Sequence, residues 1–189
     1  MIEDSVIKMI NSSNQTKDRY KEYELVEKAQ KGSDNAFEEL INIYKEYLYK
    51  MSFLYVKNEH DALDIYQETV YKAYINIHKL KNSRFFKTWI TKILINNVKL
   101  KQRHDNKFTD EKLDNYIGEI SYSSLEEKID LYDAIDSLND KYKTSIILQY
   151  FHDFSISQIS EIMDCNENTV KSYIRRAKKK LYDLLKEEK

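Results

Sequence analysis

Apolar residues recur at three- and four-residue intervals along most of this chain, and this spacing constrains its fold most strongly. Such spacing places the apolar side chains on one face of an α-helix, whereas a half-buried strand would alternate apolar and polar residues. The chain has no proline and only two glycines, Gly32 and Gly118, which suits helices joined by tight connections. The sequence therefore predicts an all-α protein. One such stripe is Ala36, Phe37, Leu40, Ile41, Tyr44, Leu48 and Met51.

The stripes fall into two groups, which predict two small helical domains joined by a flexible linker. In the first group, a short helix spans Glu24 to Lys31, Ser33 or Asp34 caps the second helix, and a third begins near Glu59. The predicted buried faces of the third and fourth helices include Tyr74 and Val98. In the second group, the predicted apolar faces include Ile135, Leu138, Ile146, Ile147, Tyr150 and Phe151.

Composition along the chain sets the predicted boundaries. Residues 1–23 are polar and weakly periodic, and we interpret them as an N-terminal arm. The first helical domain covers residues 24–103 and the second covers residues 125–189. Residues 104–124 between them are too polar to pack and form a predicted acidic linker.

The charges are unevenly distributed in a chain whose net charge is only −1. Two long windows, Thr69–His104 and Asn168–Tyr182, contain lysines and arginines but no acidic residue. Unopposed basic side chains neutralise phosphates and release condensed counterions, so these windows predict two contacts with a polyanion.

Other classes of function have little support in the sequence. The four histidines form no pair at metal-ligand spacing, two glycines cannot build a phosphate-binding loop, and no nucleophile signature is present. We therefore expect no metal, no cofactor, no small-molecule substrate and no enzymatic activity. The single cysteine, Cys165, excludes an intrachain disulfide and is expected to face inward as a small core residue. No secretory or membrane-spanning pattern is present, so a cytoplasmic location is expected.

The C-terminal window lies in a predicted helix-turn-helix. Ser155 and Gln158 fit a capping box on a short helix, and Asn166 is the predicted N-cap of the longer helix that follows. Asp164 lies in the turn and tolerates a left-handed backbone better than most residues. The inner face of the longer helix is Val170, Ile174, Ala177, Leu181 and Leu184, and its outer face is basic. Solvated helix faces usually mix charges of both signs, so this one favours DNA binding over a merely solvated surface.

These motifs resemble those of bacterial extracytoplasmic-function (ECF) sigma factors. Ser157–Met163, Asn166–Ser172 and Arg176–Lys178 resemble region 4 of that family. In the N-terminal half, Gly32–Leu40 resembles the start of region 2 and Asp61–Glu68 its polymerase-binding segment. Phe85–Ile90, followed by Ile93, Asn96 and Asn97, resembles its promoter-melting segment. The chain departs from the family at Asp164 and Asn168, where glycine is frequent, and at Tyr173, where arginine is frequent.

The resemblance implies an alternative sigma factor that binds core RNA polymerase and directs transcription from specific promoters. Region 4 would read the −35 element of promoter DNA through Asn168, Thr169, Lys171, Ser172, Arg175, Arg176 and Lys179. Region 2 would melt and read the −10 element through Lys79, Lys81, Asn82, Arg84, Lys87, Trp89, Lys92 and Asn96. The polymerase would be bound by Asp61, Asp64, Ile65, Gln67 and Glu68.

The resemblance also implies roles that involve further partners. The acidic linker, with Asp105, Asp110, Glu111 and Asp114, would thread the basic channel of the polymerase. Family members are often held inactive by an anti-sigma factor, which is frequently membrane-anchored. Phe85, Phe86 and Trp89 stay open between a core role and base stacking.

Three alternatives remain at this point. A stand-alone regulator that binds operators would explain the helix-turn-helix but not the segments of the N-terminal half. A sigma factor of the toxin-gene type would share the mechanism of the leading hypothesis. A nucleic-acid-processing enzyme would need a metal or nucleophile constellation that the sequence does not display.

Overall fold

The computed structural model describes residues 20–108 and 126–187, with side chains over 20–104 and 131–186. The chain divides into two compact units, Met1–Ile117 and Gly118–Lys189. Most of the predicted arm and of the predicted acidic linker, including the side chains of its four named acids, lies outside the described residues. Throughout both described ranges the regular structure is helical and contains no strand, as the apolar spacing predicts.

Within residues 20–108, the first unit contains four α-helices joined by short connections. The first helix begins earlier than predicted, since residues 20–23 already belong to it, and the fourth continues beyond Arg103 into the predicted linker. The helices are α1 (20–30), α2 (Asp34–Val56), α3 (Glu59–Asn76) and α4 (Phe86–Phe108), with 3₁₀ turns at Ile77–Lys79 and Ser83–Phe85 between α3 and α4.

Short polar caps fix the ends of these helices. The Ser33 side chain accepts a hydrogen bond from the backbone N–H of Ala36, which identifies Ser33 as the N-cap of α2. The Asn58 side chain accepts from the N–H of Asp61 at 3.0 Å and caps α3 in the same way. Lys57 closes α2 in a left-handed conformation, so α2 and α3 are joined by only two residues.

The core of the first unit contains the apolar stripes that the sequence predicts, with one correction. Leu48, Met51, Ile90 and Leu94 are completely buried where α2, α3 and α4 pack together. Tyr74 was predicted on the buried face of α3, but the residue is 48% exposed. Its ring packs edge-on against Phe37 and its hydroxyl donates to Asp34, so the polar end reaches the surface.

The second unit packs its helices around the long C-terminal one. Its elements are α5 (Glu126–Asp136), α6 (Asp140–Ile146), a π-helical turn (Ile147–Phe151), α7 (Ile156–Met163) and α8 (Glu167–Glu187). Helices α5, α6 and α7 all contact α8. Ile135, Ile147, Leu148, Ile159 and Ile162 are completely or almost completely buried in this unit.

Three apolar side chains of the second unit are more exposed than the sequence predicts. Tyr150 and Phe151 are 49% and 37% exposed, because a π-helical turn replaces the α-helical turn that the spacing assumes. Leu184 is 36% exposed, so the fully buried stripe of α8 ends at Ala177. None of the helices within 20–108 and 126–187 is long and apolar enough to cross a bilayer.

Candidate nucleic-acid interface

The helix-turn-helix has the local geometry that the sequence predicts. The Ser155 hydroxyl accepts from the N–H of Gln158, and the Gln158 side chain accepts from the N–H of Ser155, which completes the capping box. Asp164 ends α7 with φ 52° and ψ 49°, in the left-handed region. Asn166 accepts from the N–H of Thr169 at 2.8 Å and thereby caps α8. Cys165, which was predicted to be a core residue, is only half-buried.

The outer face of α8 presents most of the residues predicted to read the −35 element. Asn168, Lys171, Arg175, Arg176 and Lys179 are exposed, and Ser172 is half-buried. Val170, Ile174 and Ala177 are buried on the opposite face and fix the rotation of the helix. The exposed lysines and arginines of this set have no acidic partner within ion-pair distance in the described part of the chain.

Thr169 is less available than the sequence suggests. The residue is half-buried, and its hydroxyl donates to the Asn166 side chain at 2.9 Å. The hydroxyl proton is therefore used in the cap of α8, and only the oxygen lone pairs and the methyl group are left for a ligand.

Two lysines of the basic window of α8 pack against tyrosine rings that lie outside this helix. The Lys178 ammonium lies 5.0 Å from the centre of the Tyr150 ring, and that of Lys180 lies 5.6 Å from the Tyr142 ring. Cation–π contacts of this kind hold an ammonium group in place. The basic window of α8 is therefore divided into a stripe that faces outward and lysines that lie over aromatic rings.

In the first unit, three of the predicted −10 residues meet in one open cleft between α3 and α4. Lys79, Trp89 and Asn96 contribute to the lining of this cleft, whose volume is about 390 Å³. The lining also includes Lys72 from the first basic window, and Ile93 and Asn97 from the segment that resembles the promoter-melting one. The sequence did not single out the remaining two lining residues, Asn76 and Leu100. A flat indole, amide groups and ammonium groups are the components that bind an unstacked base and its phosphate.

A buried chain of hydrogen bonds supports one wall of this cleft. The Asn97 amide donates to the Thr69 hydroxyl at 3.0 Å, and Thr69 in turn donates to the carbonyl of Ile65 at 2.7 Å. The Asn97 carbonyl oxygen accepts from the Lys72 ammonium at 2.7 Å. Because Asn97 and Thr69 are buried, this chain holds the Lys72 ammonium in a defined position at the cleft.

The loop between α3 and α4 exposes the other predicted −10 residues. Lys79, Lys81, Asn82 and Arg84 are all exposed. The side-chain carbonyl oxygen of Asn82 accepts from the backbone N–H of Arg84 at 3.0 Å. The side-chain N–H groups of Asn82 are therefore the part left for a base. The Lys79 ammonium donates to Asn76 at 2.6 Å, which keeps it near the cleft.

The three aromatic residues at the start of α4 have different environments. Phe86 is completely buried, Phe85 is 46% exposed, and Trp89 is half-buried at the cleft with its ring 5.9 Å from that of Phe86. Phe86 is thus a core residue. Trp89 combines a ring contact with the core residue Phe86 and a place in the lining of the cleft.

Lys87 and Lys92 do not line the cleft. Both are half-buried, and the Lys87 ammonium lies 5.4 Å from the centre of the Tyr47 ring. Tyr47 shares a hydrogen bond of 2.6 Å with Thr91, and burial raises the pKa of its phenol well above the usual value. Tyr47 is thus neutral beneath Lys87 and joins α2 to α4.

The predicted polymerase-binding residues lie on the outer side of α3, with one correction. Asp64, Gln67 and Glu68 are exposed and Asp61 is half-buried. Ile65 is only 3% exposed, because it belongs to the α3 face that packs in the core, so it supports this surface without forming part of it.

Two of these acids form ion pairs with lysines of the first unit. Asp61 lies 2.7 Å from the Lys101 ammonium, and Glu68 lies 3.0 Å from the ammonium of Lys72. His60, Asp61 and Asp64 also lie close together, but this cluster is largely exposed and no further feature marks it as a metal site.

Two family models match the chain, one in each unit. The model for sigma-70 region 2 matches residues 40–107, and the model for sigma-70 region 4 matches residues 128–181. The first match contains the cleft and the α3 acids, and the second contains the helix-turn-helix.

Curated relatives and solved structures agree with these matches. The chain is 35% identical to the RNA polymerase sigma factor SigV of Bacillus subtilis over 74% of its length and 84% of that protein. It is 31% identical to the ECF RNA polymerase sigma-E factor of Haemophilus influenzae, over 82% of this chain and 89% of that protein. In fold it is similar to CnrH in complex with the cytosolic domain of CnrY, with a TM-score of 0.69 at 19% identity, covering 89% of this chain and 99% of that one. It is also similar to the sigma factor RpoE of Bartonella quintana in complex with the anti-sigma factor NepR, with a TM-score of 0.68 at 24% identity, covering 79% and 96%.

Proposed function

Because this chain belongs to the ECF sigma factors and acts as an alternative sigma factor that directs transcription, we propose that its two units divide promoter recognition between them. The second unit reads the −35 element as duplex DNA, and the first unit holds a separated strand of the −10 element. One observation carries this proposal. The region 2 and region 4 matches lie in separate units of one chain, and each contains an exposed basic surface.

The exposed stripe of α8 supports the assignment to the −35 element. Asn168 and Lys171 stand near the N-terminal end of the helix, where a recognition helix presents its side chains to base edges. Arg175 and Arg176 follow one turn later and can donate to guanine edges or to phosphates. Lys179 lies far enough along the helix to meet the phosphate backbone.

The cleft between α3 and α4 supports the assignment to the −10 element. Stacking on Trp89 gives affinity for any base, and the amide of Asn96 supplies donors and an acceptor for an exposed base edge. Lys72 and Lys79 supply positive charge for the strand's backbone. Such a surface favours single-stranded over duplex DNA, because a paired base cannot enter a cleft of this shape.

We assign one polar surface of α3 to the contact with core RNA polymerase: the exposed residues Asp64, Gln67 and Glu68 together with the half-buried Asp61. The helix carries them on its solvent side, and the family resemblance of Asp61–Glu68 supports the assignment. A subunit of RNA polymerase works where the polymerase works, so the proposed location is the cytoplasm.

A protein inhibitor is a further proposed partner. The Bartonella quintana sigma factor of similar fold is described in complex with the anti-sigma factor NepR. We propose that this chain also binds an anti-sigma factor, that this partner holds it inactive, and that membrane anchoring, where it occurs, belongs to that partner. A stand-alone operator-binding regulator is not favoured, because it leaves the region 2 match without a role.

Transcription from a pool of templates with randomised promoters tests the function. Core RNA polymerase supplied with this protein is expected to start RNA at discrete positions that share −10 and −35 sequences, whereas core polymerase alone is not.

A matched pair of lysines tests the −35 assignment. Lys171→Ala is expected to weaken −35 recognition by roughly 1–3 kcal/mol if Lys171 contacts a base. Lys180→Ala removes the same charge from a side chain that lies over Tyr142 and is expected to have little effect. Tight duplex binding by the protein alone, without any polymerase-dependent initiation, would instead support the regulator.

A further inference from the structure

Helix α1 contacts both ends of the loop that joins α3 to α4. At the start of the loop, the Gln30 side-chain amide donates to the carbonyl oxygens of Ile77 at 3.2 Å and Leu80 at 2.5 Å. At its end, the guanidinium carbon of Arg84 lies 6.0 Å from the centre of the Tyr23 ring. Tyr23 and Gln30 are separated by about 10 Å along a helix, so α1 extends beneath the loop.

Helix α1 is itself firmly attached to the first unit. Val26 is completely buried, and Leu25 and Ala29 are nearly so. The Tyr44 hydroxyl donates to the Glu22 carboxylate at 2.6 Å, and burial, followed by this hydrogen bond, raises the pKa of that phenol. The loop therefore rests on a fixed helix.

The hydrogen bonds from Gln30 reach the backbone at the start of the loop, beneath its exposed side chains. The carbonyl oxygen of Ile77 also accepts from the backbone N–H of Leu80 at 3.1 Å. This one oxygen therefore accepts hydrogen bonds both from the Gln30 side chain and from the backbone of the 3₁₀ turn. Ile77 and Leu80 are buried, whereas Lys79, Lys81 and Asn82 point into solvent. The geometry of the exposed side chains thus depends on how rigidly the backbone beneath them is held.

We propose that Gln30 is a positioning residue for base discrimination in the −10 element. The Gln30 amide holds the loop in its binding conformation before DNA is bound. Little of the free energy of strand binding is then needed to order the loop. Gln30 touches no DNA and acts only through the backbone of Ile77 and Leu80. The inference rests on the proposed function of the loop.

The test uses the full-length protein bound to core RNA polymerase. Fluorescent fork-junction DNA carries each of the four bases in turn at every position of the exposed −10 strand, and the dissociation constants are compared. Gln30→Met keeps the length of the side chain but has no N–H donor. We expect it to reduce the wild-type preference between bases about tenfold, which corresponds to about 1.4 kcal/mol, with unchanged affinity for core polymerase.

Two matched variants separate positioning from general stability. Gln30→Lys retains N–H donors and is expected to keep most of the base preference, while Lys31→Met changes the exposed residue just after α1 and is expected to keep all of it. Hydrogen exchange at the Leu80 amide is expected to be faster in Gln30→Met than in the wild type.

The possible outcomes are distinct. A wild-type preference that Gln30→Met leaves intact overturns the positioning role and spares the proposed function. A wild-type holoenzyme without base preference at any −10 position overturns the proposed role of the loop, and the inference with it. If Gln30→Met fails to fold, Tyr23→Leu removes the contact at the other end of the loop, and an unchanged base preference in that variant also counts against the proposal.

Discussion

At the scale of single side chains, the neighbouring aromatic residues Phe86 and Trp89 are expected to have different roles, one in packing and the other in binding. Phe86 is completely buried, and Phe86→Ala is expected to lower the free energy of unfolding by roughly 3–5 kcal/mol. Trp89 keeps part of its ring in the cleft, so Trp89→Ala is expected to destabilise the protein less. It is expected to weaken −10 single-strand binding instead, by about 1–3 kcal/mol for one lost stacking contact.

Urea unfolding and strand binding by the holoenzyme measure the two effects separately. If Trp89→Ala destabilised the protein as much as Phe86→Ala and bound the strand normally, Trp89 would be a core residue only. The sequence alone left Phe85, Phe86 and Trp89 unresolved, because helical spacing identifies a face but not how far each ring extends beyond it.

At the scale of one helix, two asparagines near the start of α8 are expected to have opposite roles. Asn166 caps the helix through its side chain, so Asn166→Ala is expected to lower the stability of the second unit by about 1 kcal/mol. Asn168 is exposed two residues later and belongs to the outer stripe. Asn168→Ala is expected to leave thermal unfolding unchanged and to weaken binding to the −35 element.

Calorimetry and binding to duplex −35 DNA distinguish the two variants. A loss of stability in Asn168→Ala, with unaltered DNA binding, would contradict its place among the reading residues. The pair is a stringent comparison, because both substitutions remove the same amide group from the same end of one helix.

The caps were predictable from the sequence for a physical reason. Ser33, Ser155 and Asn166 bond to backbone groups only three residues away, so the signal is contained in a short stretch of sequence. The same holds for Asp164, whose left-handed conformation ends α7 in the turn.

The cleft was not predictable in the same way. Lys72 and Asn97 are 25 residues apart and meet only because α3 packs on α4. The exposure of Tyr150 depends on a π-helical turn that the spacing of apolar residues does not reveal. Likewise, the support of the loop by Gln30 requires contacts across 47 and 50 residues of sequence.

At the scale of the whole molecule, a net charge of −1 conceals basic and acidic surfaces with separate roles. In the first unit these surfaces touch, since Glu68 of the proposed polymerase-binding surface pairs with Lys72 of the cleft at 3.0 Å. Exposed ion pairs contribute little to stability. We therefore expect this contact to act chiefly on the electrostatic potential, at the surface proposed for the polymerase and at the cleft proposed for the DNA strand. In particular, we expect Glu68 to weaken the attraction of the cleft for a DNA strand, in addition to its proposed part in polymerase binding.

This arrangement predicts effects of opposite sign from one substitution. Glu68→Gln is expected to weaken binding to core RNA polymerase and, at saturating core, to strengthen binding of the −10 strand, because Lys72 stays hydrogen-bonded to Asn97 without an opposing charge. Asp64→Asn removes an equal charge one turn earlier on α3, about 12 Å along the helix from Lys72, which exceeds a screening length of about 8 Å at physiological salt. It is therefore expected to weaken polymerase binding alone. Core affinity and strand affinity, each titrated at two salt concentrations, measure both effects. If Glu68→Gln, like Asp64→Asn, weakened polymerase binding and left strand affinity unchanged, the two surfaces would act independently and the prediction would be wrong.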